Sequence, residues 1–418
     1  MDTERRIQED LDGAVERGEL AGVVVSAWRD GRQLEVASGW LDREAKVPLQ
    51  PDGIFRIASL TKPITSVVAL QLWEAGRFDL DDPIDRWAPE LRELRVMRSP
   101  ADLTDTAPAP RPVTFLDLLT HRAGFTYGSF HGGALGRAYR DALGADIDSV
   151  LAPDAWIAGL GRLPLVDPPG RTLHYGHSTD LLGLLVERME DAPLDLVFRR
   201  RLFEPLGMGD TGFVVPLAKR HRRAASYGFD ADGASTKLER PPGDVALTER
   251  PAELRFMSGG QGLWSTASDY LTFTRIFLER GSVGGVRVLE PRTVERMCAN
   301  VLDRSQRATA EVAGLPLFTR GHGFGLGVAV VMEPEHCAVT VCSGGVGTVG
   351  WPGAYGGWWQ ADPASRTAVV FLTHSMPTQD QLECGVGFET YAAIERVHRR
   401  LWPGPAVAPH RDPAERPG

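Results

Sequence analysis

Strand-like sequence near both ends of the 418-residue chain, interrupted by a long helical stretch, restricts the fold more than any other feature. In residues 23–39 an Asp30-Gly31 pair separates two β-rich runs, a pattern typical of a two-residue hairpin. Comparable strand signals return only beyond about residue 260, at 325–332, 337–342 and 367–373. The two ends are therefore predicted to form one discontinuous α/β domain, made of residues 1–58 and 260–400.

The stretch between the two ends, residues 59–259, is predicted to be a mainly helical domain. Apolar residues recur there at helical spacing, in segments at 64–75, 114–120, 179–190 and 194–202. Loops rich in Pro and Gly, notably 98–113 and 164–172, separate these helices. Further helices are predicted at the N terminus and at 386–400, and the Pro-rich tail 401–418 is expected to be disordered.

Charge and hydropathy exclude two classes of partner. The chain has 46 Lys and Arg residues against 55 Asp and Glu residues, and the resulting net charge of −9 would repel nucleic acid. Apolar runs are much shorter than the roughly 20 residues that span a bilayer, so no membrane helix is expected. The N terminus lacks the apolar core of a secretion signal, and the four cysteines lack metal-binding spacing. We therefore expect a cytoplasmic protein without a metal.

Ser59 and Lys62 form the first candidate site. They stand three residues apart where the first β segment gives way to a helix, so their side chains share one helix face. Serine becomes a good nucleophile when a base removes its proton, and a buried lysine can be that base because burial lowers its pKa from about 10.4. Only four of the 46 cationic residues are lysines, and an arginine could not deprotonate here. By itself the spacing also fits a serine that merely caps the helix.

Two later segments offer partners for such a nucleophile. Tyr175, in Tyr175-Gly176-His177, follows a Pro-Pro-Gly loop, and a phenol near a cation could ionise and share the role of base. The glycine-rich segment 350–356 could come close to a ligand, and an edge strand beside Ser59 could present the N–H of Ala354 to an oxyanion. A hydrogen-bonded core tyrosine and an ordinary turn are the structural alternatives.

In order and spacing, these segments resemble the motifs of the serine β-lactamase and penicillin-binding-protein superfamily. RIASLTKPIT resembles its S-x-x-K motif, Tyr175-Gly-His177 its Y-x-N motif, and Trp351-Pro-Gly353 its K-T-G or W-x-G motif. The stretches FLDLLTHRAGF, at 115–125, and GGQGLWSTASDYLTFTRIFLERG, at 259–281, are also similar to the family. The resemblance covers about 20–395 and is strongest toward the class C-like branch, in particular the family VIII carboxylesterases.

The resemblance implies a β-lactamase-like α/β fold, in which N- and C-terminal helices flank a central antiparallel sheet and a mainly helical domain is inserted. It also implies a serine hydrolase that cleaves short or medium acyl esters without a cofactor. Ser59 would attack the acyl carbonyl, Lys62 and Tyr175 would relay its proton, and the N–H groups of Ser59 and Ala354 would bind the oxyanion. Water or an alcohol would then resolve the acyl-enzyme.

Two departures from the β-lactamase pattern favour a neutral ester over a penicillin. Trp351 stands where β-lactamases carry the lysine that attracts the carboxylate of the antibiotic, and His177 replaces the asparagine of Y-x-N. His177 is also a candidate general base. The substrate-binding candidates are His177, Trp351 and Gly353, together with aromatic residues that would line a pocket, namely Tyr127, Phe130, Trp264, Tyr355, Trp358 and Trp359.

Other functions remain open from the sequence. An acyltransferase, an amidase or D-aminopeptidase, and a weak β-lactamase would share the acyl-enzyme, whereas a catalytically silent binding protein would keep only the cleft. An α/β-hydrolase is disfavoured because the segment from Gly176 to Asp180 lacks the last glycine of G-x-S-x-G. Metal-dependent hydrolysis is disfavoured because the ten histidines form no H-x-H or H-E-x-x-H cluster. The pattern indicates neither which small-molecule ester is cleaved nor the oligomeric state.

Overall fold

The computed structural model describes residues 2–100, 102–239, 255–310, 312 and 321–402. The chain opens with α1 (Asp2–Glu16), β1 (Gly22–Arg29), β2 (Arg32–Asp42) and β3 (Val47–Pro48). Arg29 pairs with Arg32, so Asp30 and Gly31 form the turn, and their φ angles are 49° and 82°. Positive φ at both central residues is typical of a type I′ turn, so the predicted hairpin is confirmed.

The middle of the chain is mainly helical. Its elements are β4 (Phe55–Arg56), α2 (Thr61–Glu74), β5 (Arg95–Ser99), β6 (Asp102–Pro108), α3 (Phe115–Leu119), α4 (Gly133–Leu143), α5 (Pro153–Gly161), α6 (Ser178–Glu190), α7 (Leu194–Phe198), α8 (Glu204–Leu206), β7 (Tyr227–Phe229) and β8 (Ser235–Lys237). A π-helical turn at Arg199–Phe203 joins α7 to α8. Thr114 caps α3 in a reciprocal capping box with Asp117, which explains why this short helix begins there.

The last part of the chain returns to the sheet. Its elements are β9 (Trp264–Ser265), α9 (Ala267–Leu278), β10 (Ser282–Val283), β11 (Val286–Arg287), α10 (Pro291–Met297), α11 (Arg304–Thr309), β12 (His322–Phe324), β13 (Ala329–Val331), β14 (Val349–Pro352), β15 (Trp358–Asp362), β16 (Thr367–Thr373), α12 (Gln379–Glu383) and α13 (Phe388–Leu401). Within the described residues, no helix is long and apolar enough to cross a membrane.

An eight-stranded antiparallel sheet, in the order β12-β13-β14-β15-β16-β1-β2-β3, takes its strands from both ends of the chain. Successive side chains of a strand point to opposite faces, and β1 shows the result. Val23 and Val25 pack with α1 and α13, whereas Val24 joins the larger core that contains α2. Both faces of the sheet are therefore covered by helices, as expected.

Three sequence predictions were wrong in detail. Residues 337–342 form a loop instead of a strand, in which Cys337, Val341 and Cys342 are buried without the alternation that a strand would show. The predicted strand 325–332 is shorter, since a turn that includes Gly327, with φ at 91°, separates β12 from β13. The presumed loop 98–113 contains most of the β5–β6 hairpin, whose largely exposed residues lack an apolar alternation. The tail beyond residue 402 lies outside the described residues.

A buried ion pair anchors the strand that precedes Ser59. The guanidinium of Arg56, in β4, lies 2.9 Å from the carboxylate of Asp148, and both side chains are at most 2% exposed. The same guanidinium lies 4.9 Å from the centroid of the Trp264 ring. Removing one partner of a buried pair leaves a charge that water cannot solvate, so the pair holds β4 and the loop around Asp148 together.

We expect Asp148→Asn to lower the free energy of unfolding by about 3–5 kcal/mol, because it deprives the buried Arg56 of its counter-charge. Asp154→Asn is the matched control, since Asp154 also lies 2.9 Å from an arginine, Arg188, but its side chain is 90% exposed. The control should cost less than about 1 kcal/mol. Urea titrations of both variants measure the difference, and equal losses would contradict an anchoring role for Asp148.

Candidate active site

Ser59 lies in a single 3₁₀ turn, Ala58–Leu60, between β4 and α2. Ala58 has a φ of 44°, a left-handed conformation that a non-glycine residue keeps only where its surroundings impose it. The imposing contacts are apolar, since Ala58 packs with Ile147 and Tyr355. This sharp turn places Ser59, which is only 6% exposed, directly ahead of α2.

Lys62 lies in the first turn of α2, where its amine reaches three oxygen atoms. Lys62 Nζ is 3.3 Å from Ser59 Oγ and 3.2 Å from the hydroxyl of Tyr127. It also donates a hydrogen bond of 2.9 Å to the carbonyl of Gly260. The amine is therefore held within reach of Ser59, as the S-x-x-K spacing predicts, although Ser59 lies in the 3₁₀ turn and not in α2 itself.

The surroundings of Lys62 favour a neutral amine. Burial lowers the pKa of Lys62 to about 7, and the carboxylate of Asp180 opposes this shift only in part. The rings of Tyr175 and Tyr127 flank the amine, with centroids 4.5 and 5.3 Å from Nζ. Near neutral pH, Lys62 thus exists in large part as a free base beside a serine hydroxyl.

Tyr175 faces the same amine, but its protonation differs from the expectation. The hydroxyl of Tyr175 accepts a hydrogen bond of 3.1 Å from the indole N–H of Trp351. Burial raises the pKa of Tyr175, and the hydrogen bonds to Ser59 and Trp351 offset only part of that effect. The phenol consequently stays protonated and can donate a proton, whereas the phenolate base predicted from the sequence is not supported.

The end of β14 closes on the turn that holds Ser59. A Cβ atom added to Gly353 would lie 2.9 Å from the carbonyl oxygen of Ile57 and 2.8 Å from Leu60 Cδ1. Only a glycine permits so close an approach. The chain then turns at Ala354, which is exposed next to this contact. β14 is an interior strand of the sheet, and β13 pairs with its first two residues, Val349 and Gly350.

The aromatic candidates divide into two groups. Tyr127, Phe130, Tyr175 and Trp351 lie together, since the Tyr127 and Phe130 rings are 5.5 Å apart and the Phe130 and Tyr175 rings 6.3 Å apart. The other four candidates pack in the core, so their assignment to a pocket was wrong. Trp358 packs between the sheet and the helices α1 and α13, and Trp359 packs against α9. Trp264 covers the guanidinium of Arg56, and Tyr355 packs against Ala58.

His177 does not face a ligand, contrary to both roles predicted for it. Its ring is fully buried, with Nδ1 2.9 Å from Asp180 Oδ2 and Nε2 3.4 Å from Asp146 Oδ1. Burial opposes the charged ring, but the two carboxylates outweigh it and raise the pKa of His177 to about 9. An imidazolium between two carboxylates can act neither as a general base at neutral pH nor as a substrate contact.

Asp180 is the central residue that the sequence analysis missed. Its carboxylate accepts hydrogen bonds from the N–H of Gly260 at 3.0 Å, from the hydroxyl of Ser258, and from the hydroxyl of Tyr127 at 3.3 Å. The sequence did contain a sign of it, because Asp180 is a charged residue in the first turn of α6, among apolar residues that form a buried helix. Charged residues are rarely buried unless they are paired. Asp146 accepts hydrogen bonds from the N–H groups of Gly128 and Ser129. The sequence contained no sign of this role, because the loop around Asp146 contains no recognisable motif or periodicity.

We expect Gly353→Ala to destabilise the protein by about 1–3 kcal/mol, because its methyl group would overlap the Ser59 turn. Gly132→Ala is the control, since a Cβ atom at Gly132 meets nothing within 4 Å. The control should change the free energy of unfolding by less than about 0.5 kcal/mol in the same denaturant titration. If both variants were equally stable, the contact between β14 and the Ser59 turn would not be close-packed.

Known proteins resemble this chain in sequence and in fold. A family model described as "Beta-lactamase" matches residues 5–385. Esterase EstB of Burkholderia gladioli is 32% identical, with 88% of this chain and 90% of EstB covered, and Protein Rv1367c of Mycobacterium tuberculosis is 41% identical, with 86% and 87% covered. The solved structure of EstCE1, a hydrolase with promiscuous acyltransferase activity, is 27% identical at a TM-score of 0.76, covering 95% of this chain and 98% of EstCE1. The chain therefore belongs to the β-lactamase family, whose members similar to it include esterases and acyltransferases.

Proposed function

We propose that the protein is a serine carboxylesterase that cleaves short or medium acyl esters through an acyl-enzyme on Ser59. The observation that carries the proposal is the distance of 3.3 Å between Lys62 Nζ and Ser59 Oγ, at an amine whose pKa burial lowers to about 7. A neutral amine at hydrogen-bond distance from a serine hydroxyl is the arrangement that activates a nucleophile.

The proposed reaction assigns one proton to each step. Ser59 Oγ attacks the acyl carbonyl carbon while its proton passes to Lys62, and the N–H groups of Ser59 and Ala354 stabilise the oxyanion. The tetrahedral intermediate collapses with cleavage of the bond to the alcohol oxygen, which takes a proton from the hydroxyl of Tyr175. Lys62 returns its proton to Tyr175. Water then attacks the acyl carbonyl while its proton passes to Lys62. The bond between the acyl carbon and Ser59 Oγ breaks, and Oγ takes this proton from Lys62.

A neutral ester suits this site better than an anionic substrate. Trp351 replaces the cation found in β-lactamases, and its indole N–H is directed to the hydroxyl of Tyr175. Phe130, which is half-buried beside Tyr175, offers apolar surface to an acyl or alcohol group, while the buried indole of Trp351 packs against Tyr175. The similarity to Esterase EstB supports an ester substrate, and family VIII carboxylesterases remain the branch that we propose.

Acyl transfer to an alcohol is the second candidate, because EstCE1 is described as a hydrolase with promiscuous acyltransferase activity. The two reactions share the acyl-enzyme and differ in what attacks it. Adding butanol during hydrolysis of p-nitrophenyl butyrate distinguishes them. Butyl butyrate in the product mixture would indicate transfer, whereas butyrate alone would indicate a hydrolase.

We expect a burst of p-nitrophenol from p-nitrophenyl butyrate, stoichiometric with enzyme, that Ser59→Ala abolishes. Mass spectrometry should find the butyryl group on the peptide that contains Ser59. Ser305→Ala, at an exposed serine of α11, is the control and should retain the burst. Turnover that persists in folded Ser59→Ala would refute Ser59 as the nucleophile, and absence of turnover in the wild type would refute a broad esterase.

The rate of acylation should rise with pH and reach half of its maximum near pH 7, because Lys62 acts as base only after it has lost its proton. Lys62→Arg cannot deprotonate and should lower the rate by about 10²–10⁴-fold. Lys237→Arg, which keeps a surface ion pair with Asp42, is the matched control and should leave the profile unchanged. A rate independent of pH between about 5 and 9 would contradict Lys62 as base.

A further inference from the structure

The ring of His177 closes a buried chain of charges that none of the proposed catalytic steps uses. Its two nitrogens face Asp180 and Asp146, and Asp146 in turn accepts the N–H groups of the segment after Tyr127, at Gly128 and Ser129. The rings of Tyr127 and His177 lie 4.5 Å apart. His177 is therefore packed directly against Tyr127, whose hydroxyl contacts Lys62.

Asp180 connects this chain to Lys62 by two routes. The hydroxyl of Tyr127 donates to Asp180 Oδ2 and lies 3.2 Å from Lys62 Nζ. Gly260 bridges the same two groups, because its N–H donates to Asp180 Oδ1 and its carbonyl accepts from Lys62. A change in the charge or position of Asp180 must therefore be felt at the amine.

Most of the neighbouring titratable groups are neutral, so four charged side chains determine how readily Lys62 loses its proton. The groups that face Lys62 or His177 are Ser59, His121, Tyr127, Tyr139, Asp146, Tyr175 and Asp180. Burial raises the pKa of each of the three tyrosines and lowers the pKa of His121, so these groups are uncharged at neutral pH. Lys62, His177, Asp146 and Asp180 remain as the groups whose charges act on one another.

Without a cation at residue 177, the buried carboxylate of Asp180 would act on Lys62 with no neighbouring positive charge to offset it. It would hold the lysine proton firmly, and a protonated lysine cannot activate Ser59. The charged ring of His177 compensates one of the two carboxylates. Lys62 can then remain hydrogen-bonded to the Asp180 network and still lose its proton near neutral pH.

We propose that His177 is a positioning residue for this reaction, whose charged ring holds Asp180 in place and offsets its charge so that Lys62 can release its proton beside Ser59. The inference rests on the proposed function of Ser59 and Lys62. It gives a physical meaning to the replacement of the Y-x-N asparagine by histidine, because an asparagine could donate to Asp180 but could not offset its charge.

The test measures how fast a fluorophosphonate labels Ser59 between about pH 5 and 10, in the wild type and in His177→Asn. The asparagine amide can still donate a hydrogen bond to Asp180 but carries no charge. We expect the midpoint of the labelling profile to move up by about one pH unit. Loss of the positive charge at residue 177 leaves the charge of Asp180 without compensation, so Lys62 keeps its proton to higher pH. His336→Asn, at an exposed histidine, is the control and should leave the midpoint in place.

The possible results separate the inference from the function on which it rests. Absence of labelling in the wild type would overturn the proposed function itself. Labelling in His177→Asn with a lower maximum but the wild-type midpoint would show a merely structural role and overturn the inference.

A second variant keeps the inference testable if His177→Asn does not fold. Asp146→Asn removes a negative charge from the same chain while His177 keeps Asp180 as its partner. We expect its midpoint to move to lower pH, by about half a unit. A midpoint in Asp146→Asn that stays in place or rises would overturn the inference.

Discussion

The burial of the Lys62 amine is the constraint on which the candidate site depends. Helix α2 is buried along its first ten residues, from Thr61 to Leu70, so it lies between the sheet and the helical part of the chain. A charged amine in that position is costly, and the protein meets the cost with hydrogen bonds to neutral oxygens, those of Gly260 and Tyr127. The same burial makes the neutral amine accessible near pH 7, so packing and chemistry have one cause.

The environment shifts the protonation of the two proposed proton carriers in complementary directions. Burial favours the neutral form of both side chains, so Lys62 can lose its proton near pH 7 while Tyr175 keeps its own. A base and an acid are thus prepared side by side at the same pH, which the two halves of an acyl transfer require. The indole N–H of Trp351 adds to this arrangement by fixing the hydroxyl of Tyr175.

Local sequence predicted the features that depend on neighbours along the chain. The Asp30-Gly31 hairpin follows from the φ angles that its turn requires, and the S-x-x-K spacing follows from the pitch of a helix. Predictions failed where a residue type fits two environments. An apolar run at 337–342 suits a strand but also a buried loop, and aromatic residues such as Trp358 suit a pocket but also a core. Such choices depend on what packs against the side chain, which periodicity does not report.

The sequence by itself determined the order of the motifs, the helical middle between two β-containing ends, and the pairing of Ser59 with Lys62 three residues later, because these depend on spacing alone. Only the tertiary structure decided which groups surround that pair. Asp180, Gly260 and Trp351 meet Tyr175 and Lys62 from distant parts of the chain, and His177 turned out to face two carboxylates instead of a ligand. The physical reason is that protonation depends on burial and on charges a few ångströms away, and those distances exist only once the chain has folded.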